Sequence, residues 1–367
     1  MAELLRILVA FLILFMQQLG QGPAKLFPVV STPTTAAPPT ATPTATATRT
    51  ATRAPTATRT ATRTPQATPT PTPFPTARPS SADPVGFEVT GVPPAQKLPS
   101  ALLIYPLVRA SGSEDTRIEL MNLTSQPVSA QCFYVTSGTC NEIGFFVTLT
   151  ANQPISWMVG AGSNGNGRRV APAFFGDGEL KCIVVPRTPD LSSHNALQGR
   201  GLLSDASGQT LGYAAIGFRR LTPGDFSGVV PLDGITYEQC PDRLHFQVLP
   251  SQGGPDSELV LVPCSQDLLL QVPSTAKVQL AVINEFEQRF SGATTVKCFN
   301  RLAFSSLPPL RQSSAGTDTA HLIVRGTDVP VVGLVIDRFT VPGGMAVSTS
   351  SNAPFLEGGR PAIVHLP

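Results

Sequence analysis

A glycine-rich segment is the part of this chain whose spacing most resembles a cofactor-binding motif. Residues Gly160–Gly165 have the Gly-x-Gly-x-x-Gly spacing of a dinucleotide-binding loop, and they follow a strand-like run, Ile155–Val159. Such a loop binds a pyrophosphate only when a helix begins directly behind it. Gly167 and Pro172 follow instead, and they prevent a helix at this point. We therefore predict a glycine-rich turn between strands and no bound cofactor.

Side chains that could act as acids, bases or nucleophiles are few and scattered. The sequence has neither a Gly-x-Ser-x-Gly elbow nor a His-Glu-x-x-His pair. The histidines are isolated from one another: His194, His245, His321 and His365. Glu285 and Glu287 would share one face of a strand, and glycoside hydrolysis uses a pair of carboxylates. Adjacent like charges at a strand end are more commonly solvated, so no catalytic residue is assigned; a polar cleft containing His245, Glu285 or Glu287 would favour catalysis over binding.

All the cysteines lie after the low-complexity segment: Cys132, Cys140, Cys182, Cys240, Cys264 and Cys298. They lack the Cys-x-x-Cys pairs and clustered histidines of a zinc site, so no metal is expected. An even number of cysteines in an exported chain favours disulfides. Cys132 and Cys182 lie centrally in strand-like runs and are predicted to bond, with Cys264–Cys298 as the equivalent pair in the second half. Cys140 and Cys240 would then bond to each other or stay free.

Trp157 is the only tryptophan and lies in a strand-like run. Its indole could form a platform on which a sugar ring or a partner protein stacks. The alternative is a core position, which is the more common place for a lone tryptophan in a strand. Trp157 is therefore kept as a candidate ligand platform.

Short apolar runs separated by turn residues fill the chain after Pro84. Ala101–Val108, Thr116–Leu123 and Val128–Val135 have the length of strands and are rich in Val, Ile, Phe and Thr. Apolar and polar side chains alternate in Thr116–Leu123, as expected for a strand that is buried on one face. No window keeps a helical period through several turns. These features predict a mostly β fold built from sandwiches.

The second half of this region repeats the first in outline. Asp115–Leu120 leads through a turn to Gln131–Phe133, and Thr275–Leu280 leads to Lys297–Phe299. We predict two β-sandwich domains, residues 85–235 and 236–367, with one large sandwich as the alternative. The pairing of an Arg-Ile-x-Leu-x-Asn strand with a Cys-Phe-Tyr strand resembles tandem immunoglobulin-like units in uncharacterised secreted bacterial proteins with a Thr/Pro-rich spacer. This resemblance implies immunoglobulin-like sandwiches but no activity.

The N-terminal residues predict export. Ile7–Met16 is an unbroken apolar run preceded by Arg6, and its length as a helix is about half of a hydrocarbon core. We place a signal peptide at residues 1–24. An uncleaved anchor is the alternative, and membrane contact is expected only through this segment. Residues 25–84 are almost entirely Thr, Pro, Ala and Arg, and predict a disordered linker that could carry glycans.

The distribution of charge limits the class of partner. The net charge is +2, but the basic excess lies in the linker and the region after Pro84 is near neutral. No nucleic-acid partner is therefore expected. We predict a noncatalytic binding or structural protein, secreted, periplasmic or at the cell surface, whose unknown extracellular ligand is a polysaccharide or a surface protein. The alternative is a secreted hydrolase of an extracellular polymer, with a site built from scattered loop residues.

Overall fold

The computed structural model describes residues 98–185, 195–223, 228–250, 256–340 and 346–367. The predicted signal peptide (1–24), the predicted linker (25–84) and His194 lie outside the described residues. The described residues belong to one compact unit, Ser81–Pro367. Nearly all of their regular structure is β, which confirms the predicted fold class. Helix among the described residues is limited to two 3₁₀ turns, Phe304–Ser306 and Pro308–Leu310, and one short α-helix, Gln312–Ala315.

The first half contributes one nine-stranded antiparallel sheet, whose two parts are here named as separate sheets. The first inner sheet has the order β4-β3-β6-β1-β9, and the first outer sheet has the order β5-β2-β7-β8; the two are joined where Ala110 pairs with Asp115. The nine strands are β1 (Leu102–Ala110), β2 (Glu114–Asn122), β3 (Val128–Thr136), β4 (Glu142–Leu149), β5 (Pro154–Met158), β6 (Gly176–Val185), β7 (Leu197–Asp205), β8 (Thr210–Ala214) and β9 (Ile216–Phe218).

The second half contributes two further antiparallel sheets and one small sheet. The second inner sheet has the order β16-β12-β18-β19, the second outer sheet has the order β15-β14-β17-β11-β20, and the small sheet has the order β10-β21-β13. Their strands are β10 (Val229–Leu232), β11 (Arg243–Val248), β12 (Glu258–Pro263), β13 (Gln266–Asp267), β14 (Thr275–Asn284), β15 (Arg289–Lys297), β16 (Asn300–Ala303), β17 (Ala320–Gly326), β18 (Val331–Thr340), β19 (Ala346–Asn352), β20 (Phe355–Glu357) and β21 (Ala362–His365).

The burial of each strand shows how the four large sheets stack. In β14 every second side chain is buried, so only one face of this outer strand is covered. In β1 and β12 nearly every residue is buried, so both faces of the inner sheets are covered. Leu259 and Leu261 of β12 belong to one core cluster, whereas Val260 and Val262 belong to the cluster of the first half. The inner sheets therefore pack against each other, and each also packs against its own outer sheet.

Strand pairing in the second half follows that in the first. β2 lies between β5 and β7, and β14 lies in the same way between β15 and β17. β1 pairs with β9, and β12 pairs with β18. This recurrence agrees with the repeat in the sequence. The boundary between residues 235 and 236 stays a prediction, and the larger core cluster takes side chains from both sides of it.

All six cysteines form disulfides. Cys132 and Cys182 are bonded, as predicted, and they lie directly opposite each other on β3 and β6. The other predicted pairing is wrong, because Cys264 is bonded to Cys240 and Cys298 is bonded to Cys140. The Cys140–Cys298 bond joins the turn after β3 to the turn between β15 and β16, and so crosslinks the two halves. Three disulfides indicate that the chain folds in an oxidising environment.

Charged side chains also join the two halves. Arg301 of β16 is 10 % exposed; its guanidinium lies 2.7 Å from Glu258 and 3.9 Å from Glu114 of the first half. Lys181 of β6 is fully buried, contacts Glu179 on its own strand, and donates to Gln266 Oε1 of β13 at 2.7 Å. Buried ions tolerate little displacement because an unpaired charge in an apolar interior is costly. These contacts therefore fix the halves relative to each other.

Candidate functional site

The outward face of the second outer sheet carries polar side chains and two grooves. Because side chains alternate along a strand, the even-numbered residues of β17 enter the core and the odd-numbered ones point outward. The strand register then places Ile283 beside His321, Ala281 beside Ile323, and Gln279 beside Arg325. On the far side, β11 and β20 add five more outward residues: Arg243, His245, Gln247, Phe355 and Glu357.

A chain of hydrogen bonds runs across this face from a carboxylate through two histidines. Arg243 Nη1 lies 2.9 and 3.1 Å from the two carboxylate oxygens of Glu357. Glu357 Oε2 lies 3.0 Å from His245 Nε2, and His245 Nδ1 lies 3.0 Å from His321 Nε2. The Phe355 ring packs edge-on against His245, with the ring centroids 5.1 Å apart. Each polar group therefore orients the next one along the chain.

Local electrostatics determines which atoms of this row of hydrogen bonds carry protons. The hydrogen bond from His245 and the guanidinium of Arg243 lower the pKa of Glu357. Partial burial, together with the neighbouring His245, lowers the pKa of His321. When both rings are neutral, His245 donates from Nε2 to Glu357 and accepts at Nδ1 from His321 Nε2. The remaining nitrogen of His321, Nδ1, is then an unprotonated base at the end of the chain.

A groove of about 540 Å³, here called the histidine groove, contains the two histidines. Its polar lining comes from His245, His321, Gln247 and Glu285, and Phe355 and Ile283 supply apolar surface. Glu285 Oε1 accepts hydrogen bonds from the Thr319 amide and hydroxyl at 3.0 and 2.8 Å. The structure thus brings His245 and Glu285, two of the three residues singled out for a polar cleft, into one groove. Glu287 does not line it.

A second groove, of about 770 Å³, lies on the same sheet face and is here called the arginine groove. Its charged lining consists of Arg243, Arg289 and Arg325, and no acidic side chain lines it. Ile323 and small side chains form most of its floor: Ala281, Ser291, Gly292 and Ala293. Arg325 contacts Asp242 at 3.2 Å, whereas Arg289 forms no ion pair with any residue that the structure describes. All the charged side chains that line this groove are therefore positive.

A third groove, of about 600 Å³, lies on the outward face of the first outer sheet. Arg117, Glu119 and Arg200 line it together with Met121 and Pro154. Glu119 lies 3.3 Å from Arg117 and 2.7 Å from Arg200. Here a carboxylate bridges both arginines, which reduces their attraction for an anionic ligand.

Trp157 belongs to the core. It is 1 % exposed, and its indole nitrogen donates a 2.6 Å hydrogen bond to the Tyr134 hydroxyl. The ring also packs edge-on against Phe145. This position leaves neither face of the indole open, so Trp157 does not serve as a ligand platform in this structure. Residues Gly160–Gly165 form turns without a following helix, and the Gly160 amide donates to Asp115 Oδ1 at 3.0 Å.

The residues that sequence reasoning missed are those that the sheet brings to the histidines: Arg243, Arg289, Arg325, Phe355 and Glu357. One signal was available, because Arg243 and His245, like His321 and Arg325, have the even spacing that puts side chains on one strand face. No group of three or more His, Cys, Asp or Glu side chains among the described residues is placed to hold a metal ion.

No protein-family model matches the chain, and no curated protein is significantly similar to it in sequence. Among the residues that the structure describes, no helix is long and apolar enough to span a membrane. The functional argument therefore depends on the geometry of the second outer sheet.

Proposed function

We propose that this chain is an exported, noncatalytic protein that binds an extended polysaccharide on the outward face of its second outer sheet. The observation that carries the proposal is that this face holds two adjoining open grooves with polar, cationic and aromatic side chains. An extended chain can lie across several strands of an open sheet face. An exposed ring such as Phe355, which is 58 % exposed, offers a stacking surface for a sugar.

The proposal also includes export of the protein and its display at the cell surface. Three disulfides agree with an oxidising compartment. The apolar run Ile7–Met16 would act as a signal peptide, and the Thr/Pro-rich segment 25–84 would hold the sandwiches away from the cell surface. The resemblance to secreted bacterial proteins with such a spacer points the same way.

A binding assay with two matched variants tests this function. The full chain is mixed with insoluble cell-wall polysaccharides, and the bound fraction is measured for wild type, Phe355→Ala and Phe146→Ala. Phe146 is 64 % exposed on β4, outside the second outer sheet, and so is the matched control. Loss of one stacking contact of about 1 kcal/mol lowers affinity roughly 5-fold for Phe355→Ala. Equal binding by all three proteins contradicts the assignment of this face.

The alternative, a secreted hydrolase, is favoured by one specific observation. Glu357, His245 and His321 form the carboxylate–imidazole arrangement that makes a terminal base available for proton transfer. However, both carboxylates at this face are already engaged, Glu357 by Arg243 and His245, and Glu285 by Thr319. Release of new reducing ends from a bound polysaccharide, abolished in His321→Ala, would establish the hydrolase and overturn the noncatalytic proposal.

A further inference from the structure

The arginine groove carries one positive charge, that of Arg289, that no described carboxylate neutralises, whereas Arg325 contacts Asp242 at 3.2 Å. Arg289 is exposed at the start of β15 and has no ion-pair partner among the described residues, and Arg325 is exposed on β17. Arg243 completes the set, although its guanidinium is shared with Glu357. No carboxylate lines the groove, so its field favours an anion.

The shape of the groove limits the kind of anion that fits. Its floor is made mainly of small side chains, and the aliphatic Ile323 marks its border with the histidine groove, which has His245 on the neighbouring strand. A protein partner would require several large apolar anchors in the centre of its contact, whereas Ile323 is accompanied on the groove floor mainly by small side chains. Double-stranded nucleic acid would require a basic field over a wider surface, whereas the folded region is near neutral.

We propose that the arginine groove binds the anionic substituents of an acidic polysaccharide. Guanidinium groups present a planar fork of donors that matches carboxylate and sulfate oxygens. Three arginines spread over β11, β17 and β15 would contact successive charged sugars, while neutral parts of the chain lie in the histidine groove. This inference rests on the proposed function, because it names the class of polysaccharide that the same sheet face binds.

The test compares two polymers that differ only in charge. Polygalacturonate and its fully methyl-esterified form share one backbone, and the ester removes the negative charge. Affinity of the full chain for each polymer is measured by isothermal titration calorimetry at low and at physiological salt. We expect tighter binding of polygalacturonate, by about 10-fold or more, and a loss of this preference as salt screens the charges.

Two double variants test whether the preference for polygalacturonate arises in the arginine groove. Arg289→Gln/Arg325→Gln removes two of its charges, and Arg117→Gln/Arg200→Gln removes two exposed arginines from the opposite outer sheet, with the same change in net charge. We expect the first variant to bind polygalacturonate at least about 10-fold more weakly, because two charge-assisted contacts are lost. The second should bind as wild type does. Trp157 fluorescence and far-ultraviolet circular dichroism check that both variants are folded.

The outcomes distinguish a failure of this inference from a failure of the proposed function on which it rests. Equal affinity for the acid and the ester, unchanged in Arg289→Gln/Arg325→Gln, overturns the acidic class but leaves polysaccharide binding in place. Equal weakening by both double variants overturns the location in the groove. Single-stranded DNA bound as tightly as polygalacturonate overturns the polysaccharide class, and binding of neither polymer overturns both proposals.

Discussion

Removing the disulfide between the two halves should destabilise the protein more than removing the local one. Cys140 and Cys298 are 158 residues apart, whereas Cys240 and Cys264 are 24 apart. The other two disulfides shorten the connection between Cys140 and Cys298, because the Cys132–Cys182 bond lies across the loop and the Cys240–Cys264 bond lies within it. The loop that the Cys140–Cys298 bond closes is therefore roughly 100 residues long. Loop-closure entropy then gives about 4.7 kcal/mol for Cys140–Cys298 and about 3.5 kcal/mol for Cys240–Cys264 at 25 °C.

The two double variants, Cys140→Ala/Cys298→Ala and Cys240→Ala/Cys264→Ala, are matched controls for each other. All four side chains are at most 5 % exposed, so each variant removes two buried sulfur atoms and the packing losses largely cancel. The free energy of unfolding is measured by urea titration of the full chain, with Trp157 fluorescence and far-ultraviolet circular dichroism as separate probes.

We expect the variant without the crosslink between halves to be less stable by about 1 kcal/mol than the variant without the local bond. The reasoning would be refuted if Cys240→Ala/Cys264→Ala were the less stable variant while the urea dependence of the free energy of unfolding stayed unchanged. If the two probes give different midpoints only for Cys140→Ala/Cys298→Ala, the crosslink is what makes the halves unfold together.

Three further predictions concern buried polar groups, and each is measured as a free energy of unfolding in urea. Lys181→Met leaves the carboxylate of Glu179 buried without its partner and should destabilise by about 3–5 kcal/mol, with most of the loss recovered in Glu179→Leu/Lys181→Met; no recovery would count against the pair. Burial raises the pKa of Asp337 to about 6 from its ordinary 3.8, so the folded state binds more protons than the unfolded state between those values and stability falls as pH rises through them. Asp337→Asn should therefore stabilise the protein at pH 7 by up to about 3 kcal/mol and remove that slope, and a slope that survives would contradict this cause. Tyr134→Phe leaves the Trp157 indole N–H without an acceptor and should cost about 1–3 kcal/mol, so a neutral effect would show that water replaces the hydroxyl.

Much of the fold follows from short-range patterns in the sequence. The alternation in Thr116–Leu123 and Thr275–Leu280 marks β2 and β14, both of which face solvent on one side. Cys132 and Cys182 could be paired because each lies centrally in a strand-like run. The partner of Cys264 could not be deduced in this way. It depends on the segment that leads into β11, which contains Cys240, lying beside the end of β12, and that is a property of how the sheets stack.

The candidate site was hidden for a similar reason. His245 and His321 are 76 residues apart, and they meet only because β11 pairs with β17 and aligns Gln247 with His321. Glu357 joins them from β20, an edge strand of three residues near the C-terminus. A search for motifs within a short window finds isolated histidines, which is why the sequence pointed to no catalytic or binding set.

The stacking of the sheets is one reason why we place the proposed binding site on one particular surface. The central strands β1 and β12 of the inner sheets are covered on both faces, whereas the outer strand β14 has an open face with alternating polar side chains. On the first outer sheet, Glu119 bridges Arg117 and Arg200 and satisfies both. On the second, Arg289 has no such partner among the described residues, and the groove around it lacks acidic side chains. Arg289 is therefore the arginine of these two faces whose charge is available to the acidic ligand that we propose.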